Sequence, residues 1–314
     1  MRMLVLGYSN IFQRRVFPVA AACGIRSIDI ATASGRPIPE DSALVGDVYR
    51  DYGHAMQESG ADIVYITTTN DLHVPLARLA LRKGMHIIVD KPAVLNLPDA
   101  VELAEQATRS GLCLAEAAVF SVHPQIGRAR EIFVEHGTRP TRISTMFSVP
   151  PFSADNFRYR RGSGGGAIAD TGVYAVAPGR LFFGDAPVTV QACVTARADD
   201  VETGYSLLMD FGGGRSLVGH FGFDTEYRNW IELVGPDLCV RFDRAFTTTP
   251  DLENAIHVIH KNEAKTEIAQ SADSFLIYFE TIVRDIRAGN FQHHAETMLE
   301  DAMSVDLLRR AAQS

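Results

Sequence analysis

The sequence predicts an α/β protein in which a doubly wound parallel sheet is followed by an α+β domain with a large, mostly antiparallel open sheet. Short apolar strands alternate with helices over about the first 120 residues, a pattern typical of a parallel sheet covered on both faces. From about residue 141 the chain is instead rich in successive strands. With 314 residues it can bury two separate cores. We therefore expect one domain over residues 1–120 and a second over residues 121–314.

The composition is that of an ordinary globular protein and excludes several functional classes. Hydrophobic residues make up 46% and charged residues 22%, and 38 acidic against 30 basic side chains leave a net charge of −8 without a basic patch for nucleic acid. No apolar run approaches the roughly 18–20 residues that cross a bilayer, and the first strand begins too early for a signal peptide. The four cysteines are widely spaced in apolar contexts. We expect a cytoplasmic protein with reduced cysteines and with no nucleic-acid or membrane partner.

The first strand, Met3–Leu6, is followed by a turn in the position of a dinucleotide phosphate loop and by a helix expected to reach about Cys23. The pattern Gly-x-Gly-x-x-Gly is incomplete there, since Gly7 is present but Ser9 and Phe12 replace the other glycines. The Ser9 hydroxyl can bond a phosphate oxygen in compensation, whereas Phe12 is large enough to displace the loop or the helix. An ordinary β–α turn explains the stretch equally well. The cofactor interpretation assigns to this loop Gly7, Ser9, Asn10 and Ile11.

The second strand, Ser27–Ala31, ends in a polar segment without an acidic residue. Sites that prefer NAD place Asp or Glu at this strand end to bind the ribose 2′-hydroxyl. Here the hydroxyls of Thr32 and Ser34 and the guanidinium of Arg36 can receive a 2′-phosphate instead. The alternative is a polar turn before Pro37. The segment favours NADP as the cofactor, with NAD as the alternative.

In the first half of the chain, the polar segments that follow the third and fourth strands say most about a ligand site. Ile63–Ile66 leads into Thr67-Thr68-Thr69-Asn70, and a helix over Leu72–Lys83 stops at Gly84. The next strand is short, apolar and ends in Asp90-Lys91-Pro92. Because ligands bind at the carboxyl edge of such sheets, Lys91 is a candidate ligand contact, although a lone lysine there is more often a solvated charge. We expect the Lys91-Pro92 peptide bond to be cis.

The helices and strands in the rest of the chain are assigned from the positions of glycine and proline and from the periodicity of the apolar residues. A helix with Pro98 in its first turn ends before Gly111, a strand covers Leu112–Ala115, and a helix runs from His123 to about Glu135. A tight hairpin is expected at the glycines 212–214. Strands of the second sheet are expected at Arg142–Val149, Val188–Arg197, Tyr205–Phe211, Arg215–Phe223, Trp230–Val234 and Leu238–Phe242. Two helices close the chain, at Ser274–Ala288 and Glu296–Ala312.

A second informative stretch is the glycine run 164–166, which lets the backbone approach another group closely and precedes a helix. Asp170 and Tyr174 are four residues apart on that helix, so their side chains share one face. Asp170 also lies near the helix N-terminus, where a negative charge is favoured. Taken separately, Asp170 is explained as a helix cap and Tyr174 as a half-buried aromatic residue.

The motifs Asp90-Lys91-Pro92 and Gly164-Gly165-Gly166-Ala167-x-x-Asp170-x-Gly172-x-Tyr174 together resemble the signatures of the Gfo/Idh/MocA oxidoreductases. That family has Glu-Lys-Pro at the first motif, and histidine or tyrosine at the end of the second. The tyrosine subset includes sugar 3-ketoreductases, glucose–fructose oxidoreductase and dihydrodiol dehydrogenase. The resemblance implies a Rossmann-type first domain, a last helix at about 296–312 that packs back on it, and a lysine that contacts both cofactor and substrate.

The resemblance also implies the chemistry of the site. A tyrosine with a pKa near ~10 is protonated at neutral pH, so Tyr174 suits proton donation to a carbonyl oxygen as hydride reaches the carbon. The Lys91 ammonium would stabilise the phenolate and polarise the carbonyl, and Asp170 would position the substrate or Lys91. Lys91, Asp170 and Tyr174 are therefore candidate substrate contacts. The resemblance adds His123, whose position borders the substrate pocket in relatives, and the alternative is that it simply starts a helix. The expected cofactor contacts beyond the two polar loops are Thr67, Thr68, Asn70, His73, Lys91, Pro92, Glu116 and Arg158. Arg158 could bind a substrate phosphate in place of the cofactor, and an exposed surface ion pair is the alternative.

These expectations define an NAD(P)-dependent oxidoreductase that reduces a sugar-like ketone. The alternatives are a free-sugar or dihydrodiol dehydrogenase, and a non-catalytic dinucleotide-binding regulator on the same fold. We expect no metal site, because the pairs His257/His260 and His293/His294 are not followed by the usual partner ligands. The strand Arg142–Val149 carries apolar residues on both faces, so we expect a homodimer or homotetramer formed through the second sheet.

Overall fold

A computed structural model describes residues 1–33, 38 and 42–313. The chain forms two compact units. The first combines Met1–Ala118 with Phe275–Leu299, and the second combines Val119–Ser274 with the chain from Glu300 onward. The predicted domain limits at residues 120 and 121 stay a prediction, because compactness alone does not show which segments fold independently.

The first unit contains a six-stranded, all-parallel sheet in the order β3-β2-β1-β4-β5-β6. This confirms the doubly wound parallel sheet. At its centre β4 is wholly buried, and β1 and β5 are buried except at their first residues, as expected for a sheet covered on both faces. The six strands are β1 (Arg2–Leu6), β2 (Ser27–Ala31), β3 (Val45–Tyr49), β4 (Ile63–Ile66), β5 (His86–Val89) and β6 (Leu114–Glu116).

Three α-helices belong to this part of the chain: α1 (Tyr52–Glu58), α2 (Asn70–Arg82) and α3 (Leu97–Ser110). The predicted signals around α3 are confirmed. The Asn96 side chain accepts a hydrogen bond from the Asp99 N–H at the start, and Gly111 closes the helix with a φ of 64°. Strand β3 and helix α1 were not predicted, because β3 is a largely exposed edge strand and α1 has only seven residues.

The predicted first helix is wrong in its geometry. Residues Phe12–Val16 form a π-helical turn and Phe17–Val19 a 3-10 turn instead of an α-helix that reaches Cys23. Pro18 has no N–H to donate, which interrupts the α-helical hydrogen bonds. The Phe12 ring is fully buried and packs against the rings of Tyr8, Phe17 and Tyr65. An aromatic cluster therefore fills the space that a third glycine would have left.

The second unit contains an eight-stranded sheet in the order β14-β13-β12-β11-β7-β10-β9-β8. All neighbours are antiparallel except β7 and β10, which confirms the mostly antiparallel sheet. Glycines 212–214 form the turn between β9 and β10, as predicted. Its strands are β7 (Arg142–Ser148), β8 (Thr189–Ala198), β9 (Val201–Asp210), β10 (Ser216–Gly222), β11 (Arg228–Val234), β12 (Leu238–Asp243), β13 (Asn254–His260) and β14 (Glu263–Ala269). Strands β13 and β14 were missed, and the polar edge strand β14 is almost wholly exposed.

Helices α4 (Pro124–Glu135) and α5 (Ala167–Phe183) cover one face of this sheet. The chain closes with α6 (Ser274–Ala288) and α7 (Gln292–Ala311), which confirms two closing helices. The other face of the sheet exposes Leu208, Val218 and Ile259, and we call it the open face. Among the helices described, none combines the length and the apolar character needed to span a bilayer.

Candidate active site

The segment around Lys91 is fixed by its neighbours in the sheet. The Tyr65 hydroxyl donates to Asp90 Oδ1 at 2.9 Å, and the Thr67 hydroxyl donates to Asp90 Oδ2 at 2.7 Å. Tyr65 is fully buried, and this burial raises its pKa well above the ordinary value, so its proton stays in place as a donor. The Lys91-Pro92 peptide bond is cis, as predicted. Two hydroxyl groups on β4 and its end therefore anchor the residue that precedes Lys91.

The residues that follow Lys91 are held as well. The ring of His73, on α2, places Nδ1 2.8 Å from the Pro92 carbonyl oxygen and Nε2 3.3 Å from that of Thr68. Glu116, at the end of β6, accepts the Ala93 N–H at 2.7 Å. His73 and Glu116 were predicted to contact the cofactor. In the structure their described contacts are with the backbone, where they position the lysine segment.

The Ser9 hydroxyl takes part in the same network. It lies 2.6 Å from the Thr67 hydroxyl oxygen and accepts the Phe12 N–H at 3.0 Å. Because the Thr67 proton is given to the Asp90 carboxylate, Thr67 can only accept from Ser9. The proton of Ser9 is thus engaged inside the protein, and a hydrogen bond from Ser9 to a cofactor phosphate stays a prediction.

Gly7 is the one glycine of the expected loop, and its position requires glycine. Its φ is +97°, and a Cβ there would lie 2.6 Å from the Thr67 carbonyl oxygen. The chain can therefore turn closely past the end of β4 only without a side chain. This close approach at the carboxyl edge of a parallel sheet fits a dinucleotide, whose pyrophosphate needs a backbone free of side chains.

The remaining predicted cofactor residues of the first unit occupy different environments. Asn10 and Ile11 are exposed, Thr68 is half-buried, and Thr32 and Asn70 are buried. Thr32 follows β2 and donates its N–H to the Tyr49 carbonyl. Ser34 and Arg36 lie outside the described residues.

In the second unit, the glycine run shapes the start of α5. A Cβ on Gly165 would lie 2.5 Å from the Arg158 carbonyl oxygen, and one on Gly166 would lie 2.6 Å from the Glu202 carboxylate. Glu202 Oε1 accepts the Ile168 N–H in the first turn of α5 at 3.1 Å. Glu202 was missed because it comes from β9, and nothing near the glycine run in the sequence signals its role.

Asp170 is paired with Arg158. Arg158 Nε lies 2.9 Å from Asp170 Oδ2, and the second nitrogen lies 3.1 Å from Oδ1, so the guanidinium grips both carboxylate oxygens. The guanidinium also lies 4.7 Å from the Phe152 ring centroid and 4.8 Å from that of Phe157. Both partners are half-buried, so the pair is not the exposed surface ion pair that was considered as the alternative. It holds the Asp170 carboxylate in one orientation.

Tyr174 stands in an aromatic cluster. Its ring centroid lies 5.0 Å from Phe147, 5.2 Å from Phe246 and 5.5 Å from Phe120. Asn229 accepts the Phe246 N–H at 2.9 Å and so fixes that side of the cluster. Three rings around one half-buried phenol leave its rotamer little freedom.

His123 is buried and starts α4, where its Nδ1 accepts the Gln125 N–H at 3.3 Å. Nδ1 is therefore the acceptor, and the proton of a neutral ring sits on Nε2. His123 Nε2 has no hydrogen-bond partner within residues 1–33, 38 and 42–313. His123 is also tied to the aromatic cluster, since its N–H donates to the Phe120 carbonyl. The Nε2–H group of His123 is thus a buried donor without a partner among the described residues, on a residue hydrogen-bonded to Phe120, which packs against Tyr174. Such a donor suits a hydrogen bond to a substrate oxygen.

Stability should depend on pH through the buried histidines. Burial lowers the pKa of His123 and, despite its hydrogen bonds, that of His73. Each then binds a proton more readily in the unfolded chain, so the free energy of unfolding should fall as the pH drops below about 6.5. His123→Asn keeps an oxygen for the Gln125 N–H and should reduce this pH dependence by up to about 1.4 kcal/mol per pH unit. Urea unfolding at about pH 7.5 and about pH 5.5 measures this pH dependence.

The control is His54→Asn, because His54 is exposed. Equal pH dependences of unfolding in His123→Asn and wild type would contradict the expectation.

Arg158→Gln tests whether Arg158 positions Asp170 or contacts the cofactor. Loss of the paired, half-buried guanidinium should lower the free energy of unfolding by about 1–2 kcal/mol. If Arg158 only positions Asp170, kcat should fall while the KM for NADPH stays unchanged. A KM increase without loss of stability would instead support the predicted cofactor contact. The control is Arg161→Gln, since Arg161 and its partner Asp200 are both mostly exposed.

Comparisons with known proteins cover nearly the whole chain. A model of the "Oxidoreductase family, NAD-binding Rossmann fold" (GFO/IDH/MocA) matches residues 1–117, and a model of the "GFO/IDH/MocA C-terminal domain" matches residues 126–239. A dTDP-3,4-didehydro-2,6-dideoxy-alpha-D-glucose 3-reductase of Actinomadura kijaniata is 26% identical over 99% of this chain and 96% of its own length. The D-xylose 1-dehydrogenase (NADP(+)) 2 of Haloferax volcanii is 26% identical over 91% of this chain and 89% of its own.

Solved structures of oxidoreductases are also similar to this chain over nearly its whole length. A 3-ketoreductase from Actinomadura kijaniata in complex with NADP and TDP-benzene superimposes with a TM-score of 0.93 at 26% identity, covering 99% of this chain and 98% of that one. An aldose-aldose oxidoreductase from Caulobacter crescentus, complexed with glycerol, has a TM-score of 0.86 at 20% identity and covers 100% and 97% of the two chains. The second similarity concerns the fold alone.

Proposed function

Because this chain belongs to the GFO/IDH/MocA family of NAD(P)-dependent oxidoreductases, we propose that it reduces the ketone of a sugar-like substrate, with Tyr174 as the proton donor acting together with Lys91. The observation that carries the proposal is the packing of Tyr174, which lies on α5, against three aromatic rings from other parts of the second unit. Proton transfer needs a donor held in one orientation, and a half-buried phenol in such a cluster meets that need.

The nicotinamide cofactor supplies the hydride when it is bound. The Tyr174 phenol donates its proton to the carbonyl oxygen, while the Lys91 ammonium polarises that oxygen and stabilises the phenolate that remains. Lys91 is suited to this role because the Asp90 side chain before it and the backbone of Pro92 and Ala93 after it are anchored. Asp170, oriented by Arg158, positions the substrate hydroxyls. His123 Nε2–H binds a further substrate oxygen.

NADP is the proposed cofactor. The end of β2 carries no acidic residue for a ribose 2′-hydroxyl, and the hydroxyls and Arg36 that follow it suit a 2′-phosphate. Relatives whose names or structures include NADP support this choice. Gly7, whose lack of a side chain lets the turn pass close to the Thr67 carbonyl oxygen, is the proposed neighbour of the pyrophosphate.

The proposed substrate is a ketosugar linked to a nucleoside diphosphate. Support comes from the 3-reductase relatives, which act on a dTDP-linked dideoxysugar and share the full length of this chain. Free-sugar oxidation is the second candidate, because a D-xylose 1-dehydrogenase is equally similar over most of the chain.

The experiment has two stages. Fluorescence titration with NADPH and NADH should show tighter binding of NADPH. NADPH oxidation should then be followed with a panel of dTDP-linked and free ketosugars, and NADP⁺ reduction with free aldoses. Turnover on a dTDP-linked ketone supports the proposal, and turnover only on free aldoses supports the second candidate. Saturable binding without turnover on any of them would contradict both and would favour a non-catalytic regulator.

Assembly is expected to use the open face of the second sheet. Leu208 and Val218 are paired across β9 and β10 and are 41% and 43% exposed. Val218→Asp should therefore convert a homodimer or homotetramer to monomers, because it places a charge in an apolar contact. Multi-angle light scattering at micromolar concentration measures the mass. Val134→Asp, at an exposed valine on α4, is the control. A monomeric wild type would contradict the expectation.

A further inference from the structure

A group of two imidazoles and one carboxylate lies away from the residues discussed so far. Asp285 is in the last turn of α6, and His293 and His294 are in the first turn of α7. The connection between the helices is short, and the Asn290 N–H donates to the Asp285 carbonyl oxygen at 2.9 Å. All of these residues belong to the first unit. The turn thus brings together side chains that are eight and nine residues apart in the sequence.

Both imidazoles face the same carboxylate oxygen. His294 Nε2 lies 3.0 Å from Asp285 Oδ2, and His293 Nε2 lies 3.6 Å from it. The two ring centroids are 3.9 Å apart, and the three candidate ligand atoms all lie within 4.8 Å of one another. Metal–ligand distances of about 2.0–2.2 Å in a tetrahedron place neighbouring ligand atoms about 3.3–3.6 Å apart. The observed separations bracket this range.

The surroundings of the carboxylate also fit a metal ligand. Arg284 Nε lies 3.2 Å from Asp285 Oδ1, which leaves Oδ2 to the imidazoles. A hydrogen bond to the second oxygen is the usual way in which a ligating carboxylate is oriented. The Asp285 and His294 side chains are only 11% and 12% exposed, whereas His293 is 50% exposed. The group is therefore rigid on its inner side and open to solvent on its outer side.

We propose that Asp285, His293 and His294 bind one Zn²⁺ ion, with solvent in the fourth position. Imidazole nitrogen and carboxylate oxygen are ordinary zinc ligands, and three protein ligands with an open position form a common zinc set. The ion joins α6 to α7 across their short connection. The sequence did not indicate this site, because the carboxylate precedes the histidine pair and reaches it only through the turn between α6 and α7.

The test uses the full-length chain without an affinity tag, freed of metal by a chelator. Zinc is titrated in competition with a chromophoric chelator, and the melting temperature is recorded with increasing zinc. Wild type should bind one equivalent per chain and melt at a higher temperature with zinc. His293→Ala, at the exposed ligand, should weaken binding by at least about tenfold, and Asp285→Asn should do the same. The control is His54→Ala, an exposed histidine of the same unit, which should bind zinc as wild type does.

The outcomes separate clearly because His293→Ala removes a half-exposed side chain and should fold. Wild-type affinity and melting behaviour of that variant would overturn the proposal, since zinc would then be held elsewhere. Equal weakening by His54→Ala would overturn it too, because it would indicate scattered surface histidines. A wild type that takes up no zinc at micromolar concentration would leave only the hydrogen-bonded cluster and would also overturn it.

Discussion

Replacing Tyr174 by phenylalanine is expected to lower kcat by about 10²–10⁴-fold, the usual contribution of a positioned general acid. The substitution removes one oxygen and leaves the ring, so the contacts with Phe120, Phe147 and Phe246 should persist. The KM for NADPH should change little, because the proposed role of Tyr174 concerns the substrate oxygen. Steady-state kinetics on the best ketosugar, with NADPH absorbance as the signal, gives both quantities.

The control for this prediction is Tyr52→Phe, which removes a phenol oxygen from α1 and should leave kcat unchanged. The melting temperature of Tyr174→Phe should match that of wild type, so a loss of activity can be assigned to chemistry. Turnover of Tyr174→Phe within a few-fold of wild type would exclude the phenol as the proton donor.

Replacing Lys91 by alanine should reduce kcat by about 10²–10³-fold, a loss comparable to removal of one oxyanion-stabilising donor. The ammonium is proposed to stabilise both the carbonyl oxygen and the phenolate, so its loss affects the transition state more than substrate binding. The backbone around residue 91 should keep its shape, because Asp90 and Pro92 are held by Tyr65, Thr67 and His73.

Lys83→Ala is the matched control, since Lys83 is an exposed lysine at the end of α2. It should leave kcat and the KM for NADPH unchanged. Normal turnover of Lys91→Ala would show that the lysine is a solvated charge, as its residue type alone suggests. Tighter NADPH binding by Lys91→Ala, without a change in kcat, would also argue against the proposed role.

The sequence predicted best those elements whose signals are local. Asn96, Pro98 and Gly111 marked the ends of α3, and the apolar runs marked β1, β4 and β5. It failed where the pattern was weak or overruled by packing. Strand β14 has a polar, exposed edge without a hydrophobic period, and Pro18 interrupts the predicted first helix, which forms π and 3-10 turns instead.

For the candidate site, the sequence identified residues but not their partners. Asp170 and Tyr174 do lie on one helix, yet the pairing of Asp170 with Arg158 depends on how residues 156–166 fold back onto α5. Glu202 and Asn229 come from distant strands, so no local pattern could reveal that they support the start of α5 and the segment at Phe246. The proton of Ser9 could be assigned only once its neighbours were known.

The chain of hydroxyl groups through Ser9 and Thr67 to Asp90 has a thermodynamic consequence. It couples the turn after β1 to the residue beside Lys91, so neither can change its geometry alone. In the proposed mechanism, a ligand that tightens the turn after β1 also restricts the motion of Lys91. The affinity for the dinucleotide and the positioning of the catalytic lysine are therefore linked. The free energy of that linkage is reciprocal, and Thr67 is the residue through which it passes.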